Sequence, residues 1–134
     1  MTVYVVTGPP AAGKSTWIRE HAKPGDITID YDTLAQALSP GLPADPVKQP
    51  KHAVDVIMAA RGAAMDEAMD ITDHDVYLVH AVLTRQAEAR YRSHGFEIVT
   101  IDPGYSECVR RAQEQRTPRQ VEQVHRWYQQ RGLA

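Results

Sequence analysis

One short stretch near the start of the chain has residue types and a spacing that can bind phosphate. Residues 8–16 read Gly-Pro-Pro-Ala-Ala-Gly-Lys-Ser-Thr and match the pattern G-x-x-x-x-G-K-[ST] at every fixed position. Successive backbone N–H groups in such a loop can surround a phosphate, and glycines at 8 and 13 let the backbone approach it closely. Lys14 can reach the outer phosphates of a nucleotide, and Ser15 can offer its hydroxyl to Mg²⁺. We therefore predict a nucleotide site made of Gly8, Pro9, Ala11, Ala12, Gly13, Lys14, Ser15 and Thr16.

The residues on either side of this loop support the match. Residues 2–7 are β-branched or aromatic and predict a strand, and residues 15–21 predict a helix. Strand, loop and helix therefore stand in the order that a phosphate-binding loop requires, and the helix N-terminus adds partial positive charge. We expect Lys14 to face solvent at this loop rather than join the core. The alternative is a chance match in a glycine-rich turn, which the flanking pattern disfavours.

Two carboxylates follow the second predicted strand, which covers residues 26–30. Asp30 and Asp32 stand at its carboxyl end, where the reactive site of an open parallel sheet lies. A carboxylate there can accept the proton of a substrate hydroxyl as the hydroxyl attacks a γ-phosphate. The alternative is that it caps the helix predicted at 33–38, and one residue can serve both purposes.

Beyond these residues, predicted strands and helices alternate, which calls for a parallel sheet covered by helices on both faces. Three prolines within residues 39–46 predict a mobile loop at the rim of the fold. Met58, Met65 and Met69 lie in the following helix and are expected to fill gaps in the core. We predict one α/β domain over residues 1–134. The predicted strands cover residues 2–7, 26–30, 75–80 and 96–102. The predicted helices cover residues 15–21, 33–38 and 52–70, a fourth runs from a cap at Thr84 to about residue 94, and two more begin after Gly104 and after Thr117.

Composition and charge narrow the class of protein. The chain is 43% hydrophobic and 24% charged, which suits a soluble domain with one core. Residues 1–84 carry 6 Lys or Arg against 11 Asp or Glu, whereas residues 85–134 carry 9 Arg against 6 acidic residues. The late positive charge is thus all arginine, which suits bidentate phosphate contacts, although a solvated helix face is the alternative.

The single cysteine, Cys108, has no cysteine partner and no metal-ligand spacing, which favours a reducing, cytoplasmic location. No stretch approaches the roughly 20 apolar residues of a membrane span, and no signal segment is evident, so we expect no membrane contact. The guanine-reading pattern N-K-x-D is absent, which argues against a GTPase.

Four further stretches follow the phosphate loop in a recognisable order. They are Ile-Asp-Tyr-Asp at 29–32, Leu-Val-His-Ala-Val-Leu at 78–83, Gly-Phe-Glu-Ile-Val-Thr-Ile-Asp-Pro at 95–103 and Glu-Cys-Val-Arg-Arg at 107–111. In this order the chain resembles, over nearly its whole length, the small P-loop kinases of the polynucleotide 5′-kinase type. The resemblance implies a sheet of about four strands in the order 2-3-1-4, with MgATP held by Lys14, Ser15 and Thr16. It also implies Asp32 as the general base and Arg111 with Arg116 as an arginine lid over the phosphates, with Arg110 and Arg119 as the neighbouring alternatives.

The chain departs from this family on the acceptor side. The family has a basic clamp three positions after the base, where this chain has Ala35, and Asp-Thr-Asn after the third strand, where this chain has His-Ala-Val at 80–82. His80 is therefore either a strand-end residue in an ordinary polar contact or a residue that contacts the acceptor.

From these observations we expect a kinase that transfers the γ-phosphate of ATP to a hydroxyl on a nucleic-acid end or a nucleotide-like molecule. Mg²⁺ is the expected metal, with Ser15 and Asp30 as candidate ligands. The acceptor cleft is expected to bind an anion through Arg85 and Arg116, together with Lys48 or Lys51. Two alternatives stay open: a catalytically weak ATP-binding module in a partner complex, and a small-metabolite kinase of the shikimate or gluconate type.

Overall fold

Strands and helices alternate along the chain, as the sequence pattern predicts. A computed structural model describes the backbone of residues 1–115 and 118–131 and the side chains of residues 1–114 and 121–131. The predicted cap at Thr117 lies outside this described part. The strands are β1 (Val3–Thr7), β2 (Ile27–Ile29), β3 (Val76–Val79) and β4 (Glu97–Thr100), and the helices are α1 (Lys14–His21), α2 (Tyr31–Leu38), α3 (Lys51–Ala68), α4 (Arg85–Ser93), α5 (Tyr105–Gln115) and α6 (Pro118–Gln130).

The described strands form one parallel sheet in the order β2-β3-β1-β4. The predicted strand order is therefore confirmed. In the register, Val5 of β1 lies between Leu78 of β3 and Ile98 of β4, and Ile29 of β2 pairs with Leu78. All four carboxyl ends consequently lie at the same edge of the sheet, which is where a site is expected.

Helices cover both faces of the sheet because side chains alternate along each strand. Val5 and Leu78 are fully buried on one face, in a cluster that includes Ala68 of α3 and the partly buried Tyr91 of α4. Val6 and Tyr77 pack on the other face against Ile18 of α1. This arrangement confirms the predicted layers.

Only two of the three methionines in and directly after α3 pack against the core as predicted. Met65 and Met69 pack against the core cluster, but Met58 is 48% exposed. The prediction that Met58 fills the core is therefore wrong. The buried residues of α3 are Ala53, Ile57 and Ala68, and Met58 directly follows Ile57, so it falls outside the buried stripe.

The start of α2 also differs from the sequence prediction. The helix begins at Tyr31, and Asp30 is its N-cap in an extended backbone conformation. One carboxylate oxygen of Asp30 accepts a hydrogen bond from the backbone N–H of Asp32 (3.2 Å), and the other accepts from the hydroxyl of Thr33 (3.2 Å). Asp32 lies in the first turn of the helix and is not its cap. The alternative that a strand-end carboxylate caps this helix is therefore correct for Asp30 and wrong for Asp32.

The proline-rich segment between α2 and α3 is held in place by one buried amide. Gln49 is 7% exposed, and its amide accepts a hydrogen bond from the Tyr31 hydroxyl (3.0 Å) and donates one to the Pro43 carbonyl (2.9 Å). A short 3₁₀ turn, Pro46–Lys48, is capped by Asp45, whose carboxylate accepts from the Val47 N–H (3.0 Å). The segment therefore stands in a defined position beside α2. In the described part of the chain, no helix combines the length and apolar character that crossing a membrane requires.

Candidate active site

The phosphate loop connects β1 to α1 and depends on its two glycines. A Cβ atom at Gly8 would overlap the carbonyl oxygen of Ile101, so a side chain does not fit at this position. Gly13 has φ 100° at the start of α1, in the left-handed region that glycine adopts without steric cost. Ala11 also has positive φ, 62°, which costs a non-glycine residue about 1–2 kcal/mol. The loop thus has the tight, strained backbone that brings successive N–H groups together.

Lys14 lies over this loop. Its ammonium group donates hydrogen bonds to the carbonyl oxygens of Gly8 and Pro9, both at 2.8 Å. Burial lowers its pKa to about 8, although the carboxylates of Asp32 and Asp30 oppose the shift. The expectation that Lys14 faces solvent is therefore wrong. Its charge is held in the loop, because the local carbonyls replace much of the water.

Arg111 of α5 also reaches this loop. Its Nη1 donates to the carbonyls of Ala11 (3.2 Å) and Ala12 (3.4 Å), and its Nε donates to Glu107 (2.9 Å). Arg110 instead pairs with Glu107 and Glu114 along its own helix. The two arginines hold the pKa of Glu107 at about 2. Among the described candidates, Arg111 is thus the arginine that touches the loop, whereas Arg116 and the side chain of Arg119 lie outside the described residues.

An open cleft joins these groups to the acidic pair. Its lining includes the phosphate loop from Pro10 onward, Arg110 and Arg111 of α5, and both Asp30 and Asp32. Thr33, Gln36 and Ala44, from α2 and the proline-rich segment, form the wall beyond the carboxylates. Of the residues predicted to bind or act on the nucleotide, Ala11, Ala12, Gly13, Lys14, Ser15, Thr16, Asp30, Asp32 and Arg111 share this cleft. Gly8 and Pro9 do not line it, and Arg116 lies outside the described residues.

The described residues that were expected to bind an anionic acceptor lie outside this cleft. Lys48, Lys51 and Arg85 do not line this cleft, and Lys51 pairs with Asp55 of its own helix (2.6 Å). Ala35, at the position of the family's clamp, is fully buried and cannot contact an acceptor. The Nδ1 atom of His80 lies 2.9 Å from the Tyr91 hydroxyl, which is the polar contact expected of a strand-end histidine.

Sequence reasoning missed two residues that position the site. Glu107 precedes Arg110 and Arg111 by three and four positions, a helical spacing that the sequence could have revealed. Trp127 of α6 is 2% exposed, and its indole N–H donates to the Ala81 carbonyl (2.8 Å). The same carbonyl accepts from the Thr7 hydroxyl (2.8 Å) and from the Gly8 N–H (3.4 Å). Trp127 therefore helps fix the point where β1 enters the phosphate loop.

Trp127→Phe is expected to weaken MgATP binding about fivefold. The change removes one donor from the Ala81 carbonyl while keeping an aromatic ring in the core, and a buried hydrogen bond contributes about 1 kcal/mol. Calorimetric titration measures the affinity, and denaturant unfolding measures the stability of each variant. Tyr128→Phe is the matched control, because it removes a hydrogen bond from the next residue of α6 to Asp102 and leaves Ala81 untouched. Equal losses of affinity in the two variants would contradict a specific role for Trp127.

A family model described as AAA domain matches residues 3–132. The chain belongs to this AAA domain family. This AAA domain is similar in fold to a chain of the Pnkp1/Rnl/Hen1 RNA repair complex, with a TM-score of 0.64 and 13% sequence identity. The match covers 96% of this chain and 45% of that chain. It is also similar to TT1252 from Thermus thermophilus, with 18% identity and a TM-score of 0.51 over 99% of this chain and 85% of that one.

These likenesses establish the fold of the AAA domain, which is of the P-loop kinase type. The chain spans less than half the length of the RNA repair protein to which it is similar. No curated protein matches it in sequence.

Proposed function

We propose that this AAA domain transfers the γ-phosphate of ATP to a hydroxyl group, with a nucleic-acid 5′-hydroxyl as the leading acceptor. The observation that carries the proposal is the cleft that joins the phosphate loop, Arg111 and the strand-end pair Asp30 and Asp32. A loop that binds phosphates suits a nucleotide, and a carboxylate beside it suits an attacking hydroxyl. We take residues 1–134 as one functional domain.

Each side chain then has a separate task. Lys14 holds the outer phosphates, because its ammonium group already reaches over the loop. Asp32 accepts the proton of the acceptor hydroxyl, and Arg111 stabilises negative charge that spreads over the transferred group. Arg116 remains a proposed second member of the lid.

Mg²⁺ fits the donors of this cleft. Ser15 offers a hydroxyl at the exposed start of α1, and Asp30 offers a carboxylate that lines the same cleft. The described residues include no cluster of three or more His, Cys, Asp or Glu side chains that could hold a metal by themselves. The remaining ligands would be phosphate oxygens and water, which Mg²⁺ commonly retains. When bound with ATP, Mg²⁺ would neutralise phosphate charge, and Ser15 and Asp30 are the residues that would hold it.

A second candidate is a weak ATP-binding module that acts within a partner complex. Two observations favour it: Ala35 is buried where the family has its clamp, and His80 is engaged with Tyr91. Such a module would bind ATP and transfer nothing. Cys108 is buried and forms no disulfide, which is compatible with the proposed reducing, cytoplasmic location for either function.

An acceptor panel distinguishes these functions. MgATP and the protein are incubated with a 5′-hydroxyl single-stranded oligonucleotide, with nucleosides or with neutral polyols, and mass spectrometry follows the products. The proposal predicts that one phosphate is added to the oligonucleotide. Transfer to a polyol alone would favour the small-metabolite kinase, and ATP binding without any transfer would favour the module.

A further inference from the structure

Glu107, in the first turn of α5, is a carboxylate that two arginines share beside the phosphate loop. Its Oε1 accepts hydrogen bonds from Nε of Arg111 (2.9 Å) and from Nη2 of Arg110 (2.5 Å), and its Oε2 accepts from Nε of Arg110 (3.1 Å). Both arginines lower its pKa to about 2, so the carboxylate is ionised at neutral pH. Glu107 also lines the cleft. A negative charge there repels the phosphates of a nucleotide, so its position indicates a favourable contribution of another kind.

Arg111 connects Glu107 to the phosphate loop. It follows Glu107 by four positions, so the two side chains lie on the same side of α5. Its Nη1 donates to the carbonyl oxygens of Ala11 (3.2 Å) and Ala12 (3.4 Å), and a Cβ atom at Gly13 would lie 3.9 Å from the same nitrogen. The guanidinium group therefore lies against three consecutive residues of the loop, while Glu107 holds its Nε.

The loop needs such a contact because its backbone is strained. Ala11 has φ 62°, in the left-handed region that a residue other than glycine adopts only at a cost. The carbonyl and N–H groups of a trans peptide point in opposite directions, so a bond that holds the Ala12 carbonyl also fixes the direction of the Gly13 N–H. Backbone N–H groups of such a loop are the donors that surround a phosphate. Arg111 thus stabilises the strained conformation on which phosphate binding depends.

We propose that Glu107 is a positioning residue for nucleotide binding, which holds Arg111 against the carbonyls of Ala11 and Ala12 and so keeps the loop in its phosphate-binding conformation. The inference rests on the nucleotide-binding part of the proposed function, and it does not depend on which hydroxyl accepts the phosphate. The alternative is that Glu107 serves only α5, because a carboxylate in the first turn and a Glu–Arg pair four positions apart both stabilise a helix. A role confined to the helix would change the free energy of unfolding and leave the affinity of the folded protein for MgATP unchanged.

Glu114 provides a matched control for Glu107. It lies on the same helix and lines the same cleft, but the arginine that it pairs with is Arg110 (2.9 Å), whereas Glu107 also reaches Arg111. Glu114→Gln and Glu107→Gln remove the same charge from the cleft, which by electrostatics alone should strengthen MgATP binding slightly in both variants. The inference predicts affinity that is unchanged or up to about twofold stronger in Glu114→Gln, and about fivefold weaker in Glu107→Gln. Calorimetric titration measures both affinities.

Two further variants show whether Glu107 acts through Arg111. Glu107→Ala should weaken MgATP binding about tenfold, more than Glu107→Gln, whose amide oxygen can still accept a hydrogen bond from Arg111. In a double-mutant cycle, Glu107→Ala combined with Arg111→Ala should bind MgATP no more weakly than Arg111→Ala alone. Denaturant unfolding of each variant measures stability separately from affinity.

The outcomes separate the positioning role of Glu107 from the phosphotransferase. MgATP affinity that is unchanged or stronger in a folded Glu107→Gln variant would overturn the positioning role, and so would additive losses in the cycle, even if phosphate transfer occurs. The predicted losses of affinity without transfer to any hydroxyl would support the positioning role and overturn the phosphotransferase. A wild-type protein that binds no MgATP would contradict both.

Discussion

Lys14→Ala is expected to reduce MgATP affinity about a hundredfold while the protein stays folded. The Lys14 ammonium group reaches the Gly8 and Pro9 carbonyls at 2.8 Å, so it lies within the loop that would surround the phosphates. A charge-assisted hydrogen bond contributes about 1.5–3 kcal/mol, and about 2.8 kcal/mol corresponds to about a hundredfold in Kd. Calorimetric titration measures the affinity, and circular dichroism reports the fold.

Lys23→Ala is the matched control for this change. Lys23 is exposed in the turn after α1 and does not line the cleft. The control variant removes the same charge from the chain, so any general effect of net charge appears in both variants. If the Lys14 variant is folded and binds MgATP as the wild type does, the assignment of the phosphate loop is wrong.

Asp32→Asn is expected to lower phosphoryl transfer by about 10² to 10⁴ while MgATP affinity is largely kept. A positioned general base contributes an acceleration of this size, and asparagine cannot accept the proton. This experiment separates catalysis from helix capping, because the cap of α2 is Asp30 and not Asp32. The change at 32 therefore leaves the helix start intact. Single-turnover rates with saturating MgATP provide the measurement.

Asp30→Asn separates the two carboxylates. Asparagine is as good an N-cap as aspartate, so α2 should keep its start. If Asp30 only caps the helix, this variant transfers phosphate normally, whereas the proposed role as a Mg²⁺ ligand predicts a lower rate that raised Mg²⁺ partly restores. A normal rate in the Asp32 variant together with a rate in the Asp30 variant that stays abolished at saturating Mg²⁺ would transfer the role of base to Asp30.

The parts of the fold that the sequence predicts are those set by local spacing. The phosphate loop is fixed by residue types within 8–16, and the Thr84 cap is confirmed because its hydroxyl accepts from the Ala87 N–H at 3.0 Å. The alternation of strands and helices along the chain is also enough to predict a parallel sheet, because crossover helices between the strands leave few other arrangements. Spacing alone does not decide between Asp30 and Asp32 as cap. That choice depends on where the β2 ladder ends, at Ile29, and the end is set by pairing with β3.

The contacts that the sequence does not predict join distant parts of the chain. The bond from Trp127 to Ala81 spans 46 positions, and that from Arg111 to Ala11 spans 100. Gln49 is an uncharged polar residue in a proline-rich segment, and nothing local distinguishes it from a solvated side chain. The contacts of Trp127, Arg111 and Gln49 follow from packing, which periodicity does not encode. Lys51 is different, because it pairs with Asp55 four positions later on its own helix, a spacing that the sequence does show.

Phosphorus NMR tests the central claim most directly. Wild-type protein is mixed with MgATP and a 5′-hydroxyl single-stranded oligonucleotide, and the γ-phosphorus signal is followed with time. The account predicts that this signal is replaced by a phosphomonoester signal on the oligonucleotide, at a rate that Asp32→Asn lowers. A γ-phosphorus signal that persists, or that appears only as inorganic phosphate, would contradict transfer to this acceptor.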